Sequence, residues 1–376
     1  MQCLRRRAYA RAGLIGNPSD GYQGKTISFS VRDYWAEVVL YEWDEVEIVV
    51  SHDDRSRFES ISDLQRHVAL HGYYGGVRLV KATIKKFVEY CQRMGYQLHD
   101  QNFAVRYASN IPRQVGMAGS SAIIVATLRC LMDFYEVGIE RRVQPSLILS
   151  VENEELGIGA GLQDRVIQVY EGVVAMDFTP EATETIDGYQ CGTYESITPE
   201  LLPPVFVAFR SDLSEPTEVF HNDLKTRFRN GDSQVVQAMT EFARLTDVVK
   251  EGIEQVDYEK IEEAINANFD LRNRICNLNP AHIEMVHAAR RAGASAKYSG
   301  SGGAIVGTVR NDEMFQKLTT EMATIGCRVF CPKISSHGPQ EMNAARWKGK
   351  LPEADAPTKS PQSHSDKTES PQKDYG

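Results

Sequence analysis

Residues 116–122 combine two glycines and two hydroxyl side chains at the point where a loop leads into a strongly apolar helix. The loop itself consists of Gly116, Met117, Ala118, Gly119, Ser120 and Ser121. Such a loop can turn its backbone N–H groups toward one point, and the start of the helix adds unpaired donors and a partial positive charge. The serine hydroxyls can cap the helix or help to hold a metal ion bound to phosphates. The segment therefore predicts a nucleotide-phosphate site, with a capped core helix after a tight turn as the alternative.

This loop differs from the two most common nucleotide-binding loops. No Lys follows Gly119, so the segment is not the Gly-x-x-x-x-Gly-Lys-Ser/Thr loop of the common NTPases. It also lacks the Gly-x-Gly-x-x-Gly order of a dinucleotide site. Residues elsewhere in the chain must therefore decide which nucleotide chemistry the loop serves.

Three further segments carry groups that are suited to phosphoryl transfer, at 8–20, 152–164 and 297–304. Arg11 lies in an apolar, strand-like stretch, where a buried cation needs a partner. Asp164 follows a glycine-rich turn and begins a predicted helix, where it can act as a structural N-cap or as a base. The third segment contains three glycines that allow the backbone to close over a site, namely Gly300, Gly302 and Gly303.

The pattern of apolar residues predicts the elements that position these groups. Strands are predicted at 26–31, 36–41, 45–50, 103–107, 173–176, 205–209, 304–309 and 328–334. Helices are predicted directly after the phosphate loop and at 76–94, 145–156, 163–170, 233–251, 258–276, 281–292 and 312–325. Their irregular alternation is typical of an α+β protein, and 376 residues are enough for two domains.

We place the predicted domains at 1–198 and 199–345, followed by a disordered tail at 346–376. The tail is predicted because residues 351–376 contain no Ile, Val, Phe or Met and cannot bury enough apolar surface to offset the entropy of ordering.

Composition and charge exclude several classes of function. The net charge is −9, and no long basic block occurs beyond residues 5–7, so neither a nucleic acid nor a membrane is expected as partner. The seven cysteines are scattered without a Cys-x-x-Cys pair, and the N-terminus lacks the apolar segment of a secretory signal. We therefore expect a cytoplasmic protein in a reducing compartment, acting as a monomer or a homodimer on a small molecule.

Taken in order, the four segments resemble the signature motifs of the GHMP small-molecule kinases over about residues 8–334. Within that family the sequence is most similar to the plant-type glucuronokinases, with similar runs at 72–78, 110–114, 161–166 and 299–304. The resemblance implies a two-domain α+β fold, with an N-terminal ribosomal-S5-like domain and a C-terminal ferredoxin-like domain. It also implies transfer of phosphate from ATP to the anomeric hydroxyl of D-glucuronate, giving ADP and glucuronate 1-phosphate, with Mg²⁺.

The resemblance also implies roles for individual residues. Asp164 would orient or deprotonate the acceptor hydroxyl, and Arg11 would lie beside it and beside the transferring phosphoryl group. Ser121 and Glu152 would hold the metal ion. Glu154 follows two residues later and on a helix would point away from Glu152, so only one of the two can face the site. A structural salt bridge for Arg11 and a solvated Glu152 are the alternatives.

The residues that contact the sugar are predicted from a comparison with galactokinase, a member of the same family from which this sequence differs. Asn17 and Asp20 match positions that bind sugar hydroxyls in galactokinase, but Asn17-Pro18 replaces a Glu-His pair, which argues against galactose. Loss of a carboxylate there suits an acidic sugar, because two buried like charges repel. Arg113 and Arg165 are the candidates for the C6 carboxylate, since arginine pairs both carboxylate oxygens. Either one could equally be a surface or phosphate contact.

Two alternatives remain open at the level of sequence. The chain could phosphorylate galacturonate or a neutral hexose, or it could be a sensor that binds nucleotide and sugar without transfer. The presence of Arg11, Glu152 and Asp164 together favours an enzyme, because a sensor needs none of the three for chemistry.

Overall fold

Two long antiparallel strands form the centre of the first sheet. The computed structural model describes residues 3–49, 75–210 and 224–334, and in it β1 spans Cys3–Ile15 and β2 spans Lys25–Trp43. The register between them shifts where Tyr9 pairs with Trp35 and the next residue, Ala10, pairs with Val31. The residues between those two partners form a bulge, so pairing continues on both sides of it. The predicted break between strands 26–31 and 36–41 is therefore wrong.

The strands that follow in the chain, up to residue 197, are shorter than β1 and β2. In chain order these are β3 (Glu47–Ile48), β4 (Asn102–Ser109), β5 (Val173–Asp177), β6 (Glu184–Ile186), β7 (Tyr189–Cys191) and β8 (Thr193–Ile197). The sheet has the order β3-β4-β2-β5-β8, and β1 also pairs with β2. The strands β6 and β7 form a separate antiparallel hairpin. Neither this hairpin nor β8 was predicted, because these short strands lack a regular apolar alternation.

Helices cover the first sheet, and two of them carry five of the residues predicted for the site. They are α1 (Gly76–Met94), α2 (Gly119–Phe134), α3 (Gln144–Ser150) and α4 (Gln163–Tyr170). The bounds of α1 and α4 confirm the predictions at 76–94 and 163–170. The predicted helix 145–156 instead ends as a π-helical turn, Val151–Glu155, a wider winding that is frequent at functional sites.

The second sheet has the antiparallel order β10-β11-β9-β12. Its strands are β9 (Val205–Phe209), β10 (Lys297–Tyr298), β11 (Ala304–Thr308) and β12 (Arg328–Phe330). Its helices are α5 (Ser233–Gln255), α6 (Tyr258–Ile275), α7 (Pro280–Arg291) and α8 (Asp312–Thr324), and residues 224–229 are also helical. Residues 297 and 298 belong to a strand rather than to the predicted loop.

The two faces of β9 join the second sheet to two different apolar clusters. Val207 and Phe209 belong to the large cluster that also contains the apolar residues of β1, β2 and α2. Phe206 and Ala208 belong to a second cluster with residues of α7 and α8. Because side chains alternate along a strand, one short strand can join both cores. The α+β class and the two-domain architecture are confirmed, whereas the domain bounds at 198 and 345 stay predictions.

Some sequence predictions lie outside the described residues. These are the first three residues of the run 72–78 and the whole tail 346–376. Within the described part of the chain, no helix is both long and apolar enough to cross a membrane.

Candidate active site

A single pocket contains most of the residues that the sequence predicted to act together. Segments far apart in the chain form its wall, from the end of β1 and the start of α1 to the loop after β4, the start of α4 and the loop after β10. The predicted residues that line it are Arg11, Asn17, Asp20, Arg113, Gly116, Met117, Ala118, Gly119, Ser120, Ser121, Glu152, Asp164, Arg165 and Gly300. Gly302 and Gly303 are not among the described lining residues, and their backbones lie against His282 and Val115 instead.

The glycine–serine loop enters α2 through left-handed backbone. Gly116 has φ of 69° and Ala118 has φ of 62°, and no described side chain caps the helix. The first N–H groups of an α-helix have no intrahelical acceptor, so this end of α2 offers donors to an anion. Ser121 is buried, and its Oγ donates to the Ala118 carbonyl at 3.2 Å, whereas Ser120 is exposed.

Arg11 connects the candidate base to the glycine–serine loop. Its Nε donates to Asp164 Oδ1 at 2.6 Å, and its Nη1 donates to the Gly116 carbonyl at 2.5 Å. Nη1 also lies 3.4 Å from the Ser299 carbonyl oxygen. Arg11 is 5% exposed, and a buried guanidinium of this kind is stabilised by a carboxylate partner. The chain therefore brings Asp164 next to the loop although 153 residues separate it from Arg11.

A close approach of backbone explains the glycine at position 300. A Cβ at Gly300 would lie 2.6 Å from the Gly116 carbonyl oxygen and 2.8 Å from Arg11 Nη2. A real side chain cannot occupy that space without moving the guanidinium or the loop. Gly300 thus allows three separate segments to meet at Arg11.

Glu152 and Arg165 form a buried ion pair in the same wall of the pocket. Arg165 Nε donates to Glu152 Oε2 at 2.7 Å, Nη2 donates to the same oxygen, and Nη1 donates to the Gly161 carbonyl at 2.9 Å. The side chains are 2% exposed for Glu152 and 5% for Arg165. Burial raises the pKa of the Glu152 carboxyl, and the neighbouring Arg165 opposes that shift. Glu154, by contrast, is exposed and pairs with Lys86 at 2.9 Å, so Glu152 is the residue that faces the pocket.

The oxygen atoms of Ser121 and Glu152 fit a hard cation such as Mg²⁺. Both residues line the pocket, and within the described residues only Oε2 of Glu152 accepts hydrogen bonds. Oε1 would therefore be the oxygen that contacts a metal ion, while Oε2 remains with Arg165. The described residues contain no group of three His, Cys, Asp or Glu side chains able to hold a metal. A metal ion here would take its other ligands from phosphate oxygens and water, which Mg²⁺ accepts readily.

Asp20 lies at the same end of the pocket as Asp164. Its Oδ2 accepts a hydrogen bond from the Gln163 N–H at 3.3 Å. Burial, followed by the negative charge of Asp164, raises the pKa of Asp20 from 3.8 to about 6. A Cβ at Gly161 would overlap Asp20 Oδ2, so glycine is needed there for this carboxyl to approach the turn.

Lys297 holds Asn17 from behind the pocket. Lys297 is 1% exposed, and its Nζ donates to the Gly13 carbonyl at 2.7 Å, to the Tyr298 carbonyl at 2.8 Å and to Asn17 Oδ1. Burial lowers the pKa of Lys297, and the positive charges of Arg272 and Arg11 lower it further. The amide of Asn17 is thereby oriented with its oxygen toward the protein and its Nδ2 3.5 Å from the Tyr298 carbonyl oxygen.

Sequence reasoning did not identify Arg78, Gln163 or Arg272, which also line the pocket. Arg272 on α6 is 2% exposed, and it donates from Nη1 to the Gly300 carbonyl at 2.7 Å and from Nη2 to the Ser301 carbonyl at 3.0 Å. Nothing in an ordinary amphipathic helix distinguishes such an arginine from a surface one. Arg78 could have been found, because it ends the run 72–78 that resembles the glucuronokinases.

The pocket carries an excess of positive charge. Five arginines line it among the described residues, namely Arg11, Arg78, Arg113, Arg165 and Arg272. Three carboxylates oppose them, namely Asp20, Glu152 and Asp164. In a chain with a net charge of −9, this local excess favours anionic ligands.

Comparisons with a family model, with related sequences and with solved structures all point to one class of protein. Residues 78–172 match the N-terminal domain of the GHMP kinases. The chain is 44% identical over 308 residues to "Probable glucuronokinase 2" of Arabidopsis thaliana, covering 80% of this chain and 82% of that protein. It is 42% identical over 310 residues to "Glucuronokinase 1" of the same plant, covering 81% and 84%. A solved phosphomevalonate kinase of Streptococcus pneumoniae shares the fold with a TM-score of 0.68 at 14% identity, covering 89% of this chain and all of that one.

The fold and the pocket together are those of a small-molecule kinase, a phosphotransferase with an alcohol group as acceptor. The chain belongs to the GHMP kinase family, and within that family it is similar to the glucuronokinases of A. thaliana. The resemblance stated from the four sequence segments is thereby confirmed.

Proposed function

We propose that this protein transfers the γ-phosphoryl group of ATP to the anomeric hydroxyl of D-glucuronate, giving glucuronate 1-phosphate and ADP. The observation that carries the proposal is the contact of Arg11 with both Asp164 and the Gly116 carbonyl, because it joins a base to a phosphate loop in one pocket. The names of the relatives at 44% and 42% identity support glucuronate as the acceptor. The excess of arginines in the pocket supports two anionic ligands, a triphosphate and a uronate.

In the proposed mechanism, Asp164 prepares the acceptor hydroxyl. Its Oδ1 accepts the 2.6 Å hydrogen bond from Arg11, and Oδ2, which lies 3.4 Å from Arg165 Nη1, would accept the proton of the hydroxyl. The hydroxyl oxygen then forms the new bond to the γ-phosphorus while the bond to the bridging oxygen of ADP breaks. Arg11 would keep Asp164 negatively charged and offset charge that develops near the loop. An anomeric hydroxyl is more acidic than an ordinary alcohol, so a carboxylate is a sufficient base.

The nucleotide would be held mainly by backbone. The N–H groups of 116–121 and the start of α2 would bind the phosphates of ATP. Ser121 and Glu152 would hold Mg²⁺, which neutralises charge on the β- and γ-phosphates when it is bound.

The acceptor would lie between Asp164 and the loop after β10. Asn17 and Asp20 would bind sugar hydroxyls, and Arg113 or Arg165 would pair with the C6 carboxylate. Arg165 already binds Glu152 and the Gly161 carbonyl, whereas Arg113 is exposed. Gly300, with Gly302 and Gly303 behind it, would let the backbone close over the sugar.

A substrate screen tests the proposed function. Release of ADP is measured with glucuronate, galacturonate, galactose, glucose and arabinose as acceptors, and the position of the new phosphate is assigned by phosphorus and proton NMR. We expect glucuronate to be the preferred acceptor and the phosphate to be on C1. Activity restricted to a neutral sugar would overturn the carboxylate assignment, and binding of both ligands without ADP release would indicate a sensor.

We propose that the protein acts in the cytoplasm as a monomer or a homodimer. We propose neither a nucleic acid nor a membrane as its partner. All seven cysteines are free thiols in the structure, which suits a reducing compartment.

A further inference from the structure

Arg165 connects the residue proposed to hold the metal with the residue proposed to activate the acceptor. Its Nε and Nη2 both donate to Glu152 Oε2, and its Nη1 lies 3.4 Å from Asp164 Oδ2. The same Nη1 donates to the Gly161 carbonyl at 2.9 Å. One buried guanidinium is thus shared by two functional carboxylates that are 12 residues apart in the chain, one on the π-helical turn and one on α4.

A divalent cation and a guanidinium compete for the charge of one carboxylate. A metal ion at Glu152 Oε1 would draw negative charge away from Oε2 and weaken the hold of Glu152 on Arg165. A buried cation that loses part of its counter-charge gains from any other anion within reach. The anions within reach are Asp164 and, in the proposed function, the carboxylate of the acidic sugar.

We propose that Arg165 is a positioning residue that couples binding of the Mg²⁺–nucleotide complex to binding of the acidic sugar. Without metal, Arg165 is held by Glu152, and the pocket binds the sugar acid weakly. With metal at Glu152, the positive charge of Arg165 is directed toward the acceptor side, and the sugar acid binds more tightly. This inference rests on the proposed function, because it takes Glu152 as a metal ligand and a uronate as the acceptor.

The proposal predicts a thermodynamic linkage that is independent of catalysis. By reciprocity, the factor by which Mg²⁺–nucleotide tightens the binding of the sugar acid equals the factor by which the sugar acid tightens the binding of Mg²⁺–nucleotide. Since the link is one ion pair, we expect a factor of about ten, within the usual range of coupling between sites.

The test is isothermal titration of D-glucuronate into the full-length protein under three conditions. These are no nucleotide, the non-hydrolysable analogue AMPPNP with EDTA, and AMPPNP with Mg²⁺. For the unaltered protein we expect the Kd of glucuronate to fall about tenfold only in the third condition. In Arg165→Gln we expect the ratio of Kd values without and with Mg²⁺ to fall to within twofold of one. Mg²⁺–AMPPNP alone should bind at least as tightly as to the unaltered protein, because Glu152 no longer shares its charge with Arg165.

Two further variants make the experiment decisive. Arg142→Gln removes an arginine from the ion pair with Glu184, away from the pocket, and should keep the tenfold ratio. Arg165→Lys keeps the charge but places it on one nitrogen, without the planar fork that contacts Glu152 and Asp164 from separate nitrogens, so its ratio should be clearly below that of the unaltered protein. This variant replaces Arg165→Gln if thermal melting shows Arg165→Gln to be unfolded.

A ratio near one in the unaltered protein, or an unchanged ratio in the Arg165 variants, would overturn the coupling while leaving the proposed function intact. Failure of glucuronate to bind in any condition would overturn the proposed function itself.

Discussion

Replacing Asp164 by Asn removes a negative charge from the pocket without changing the shape of the side chain. An amide cannot accept the proton of the acceptor hydroxyl, and general-base catalysis contributes roughly 10²–10⁴-fold in rate. We therefore expect kcat to fall by that factor, which corresponds to about 3–5 kcal/mol of activation free energy. The Gly116 carbonyl still accepts a hydrogen bond from Arg11 in the variant, so the phosphate loop should keep its geometry and its affinity for ATP.

The same substitution should also lower the stability of the fold. Breaking a fully buried ion pair costs about 3–5 kcal/mol, but the Asp164 side chain is 19% exposed and solvent reduces the loss. We expect the free energy of unfolding to fall by about 1–3 kcal/mol, since Arg11 loses its carboxylate and keeps only carbonyl partners.

Three measurements on Asp164→Asn separate chemistry from folding. ADP release gives kcat, calorimetric titration with Mg²⁺–AMPPNP gives nucleotide affinity, and urea denaturation gives the free energy of unfolding. Asp177→Asn is the matched control, because Asp177 pairs with Lys25 at 3.5 Å, is 31% exposed and lies outside the pocket. A folded Asp164→Asn enzyme with turnover within tenfold of normal would refute the role of this residue as the base.

Two further predictions concern the walls of the pocket. In Gly300→Ala the new methyl group would lie 2.6 Å from the Gly116 carbonyl oxygen, so we expect kcat/KM and the melting temperature to fall, whereas Gly138→Ala, with open space at its Cβ, should change neither. In the folded protein the pKa of Asp20 is raised from 3.8 to about 6, so the protonated carboxyl stabilises the fold below pH 4. As pH rises to 6 this stabilisation is lost, and the free energy of unfolding falls by up to about 3 kcal/mol. Asp20→Asn should remove that contribution to the slope in urea denaturation between pH 4 and 7, since an amide does not titrate in this range. Identical slopes in the two proteins would contradict the assignment.

Much of the secondary structure was predictable because the residue patterns that favour a helix or a strand lie within the segment itself. The helices at 76–94 and 163–170 have apolar residues at helical spacing and begin close to glycines, and both were predicted with the observed bounds. The bulge that joins 26–31 to 36–41 was not predictable in the same way. Whether residues between two strands turn or bulge depends on the partner strand, here β1, and not on their own composition.

The inventory of chemical groups was also readable from the chain. Motif order placed Arg11, Ser121, Glu152 and Asp164 in one hypothesis, and all four line the pocket of the structure. Their catalytic and metal-binding roles stay predictions. Sequence reasoning did not anticipate that Glu152 would be paired with Arg165, because two residues 13 positions apart meet only where a π-helical turn and a helix start are packed together.

The amino-acid sequence by itself determined the family and the class of reaction, and it named candidate side chains for the site, since these depend on residue types and their order. Only the tertiary structure decided which of those side chains touch. Arg272 reaches the loop at Gly300, and Lys297 reaches Asn17 across 280 residues of chain. Such contacts arise from the packing of two sheets and their helices around shared apolar cores, and that packing depends on many residues at once.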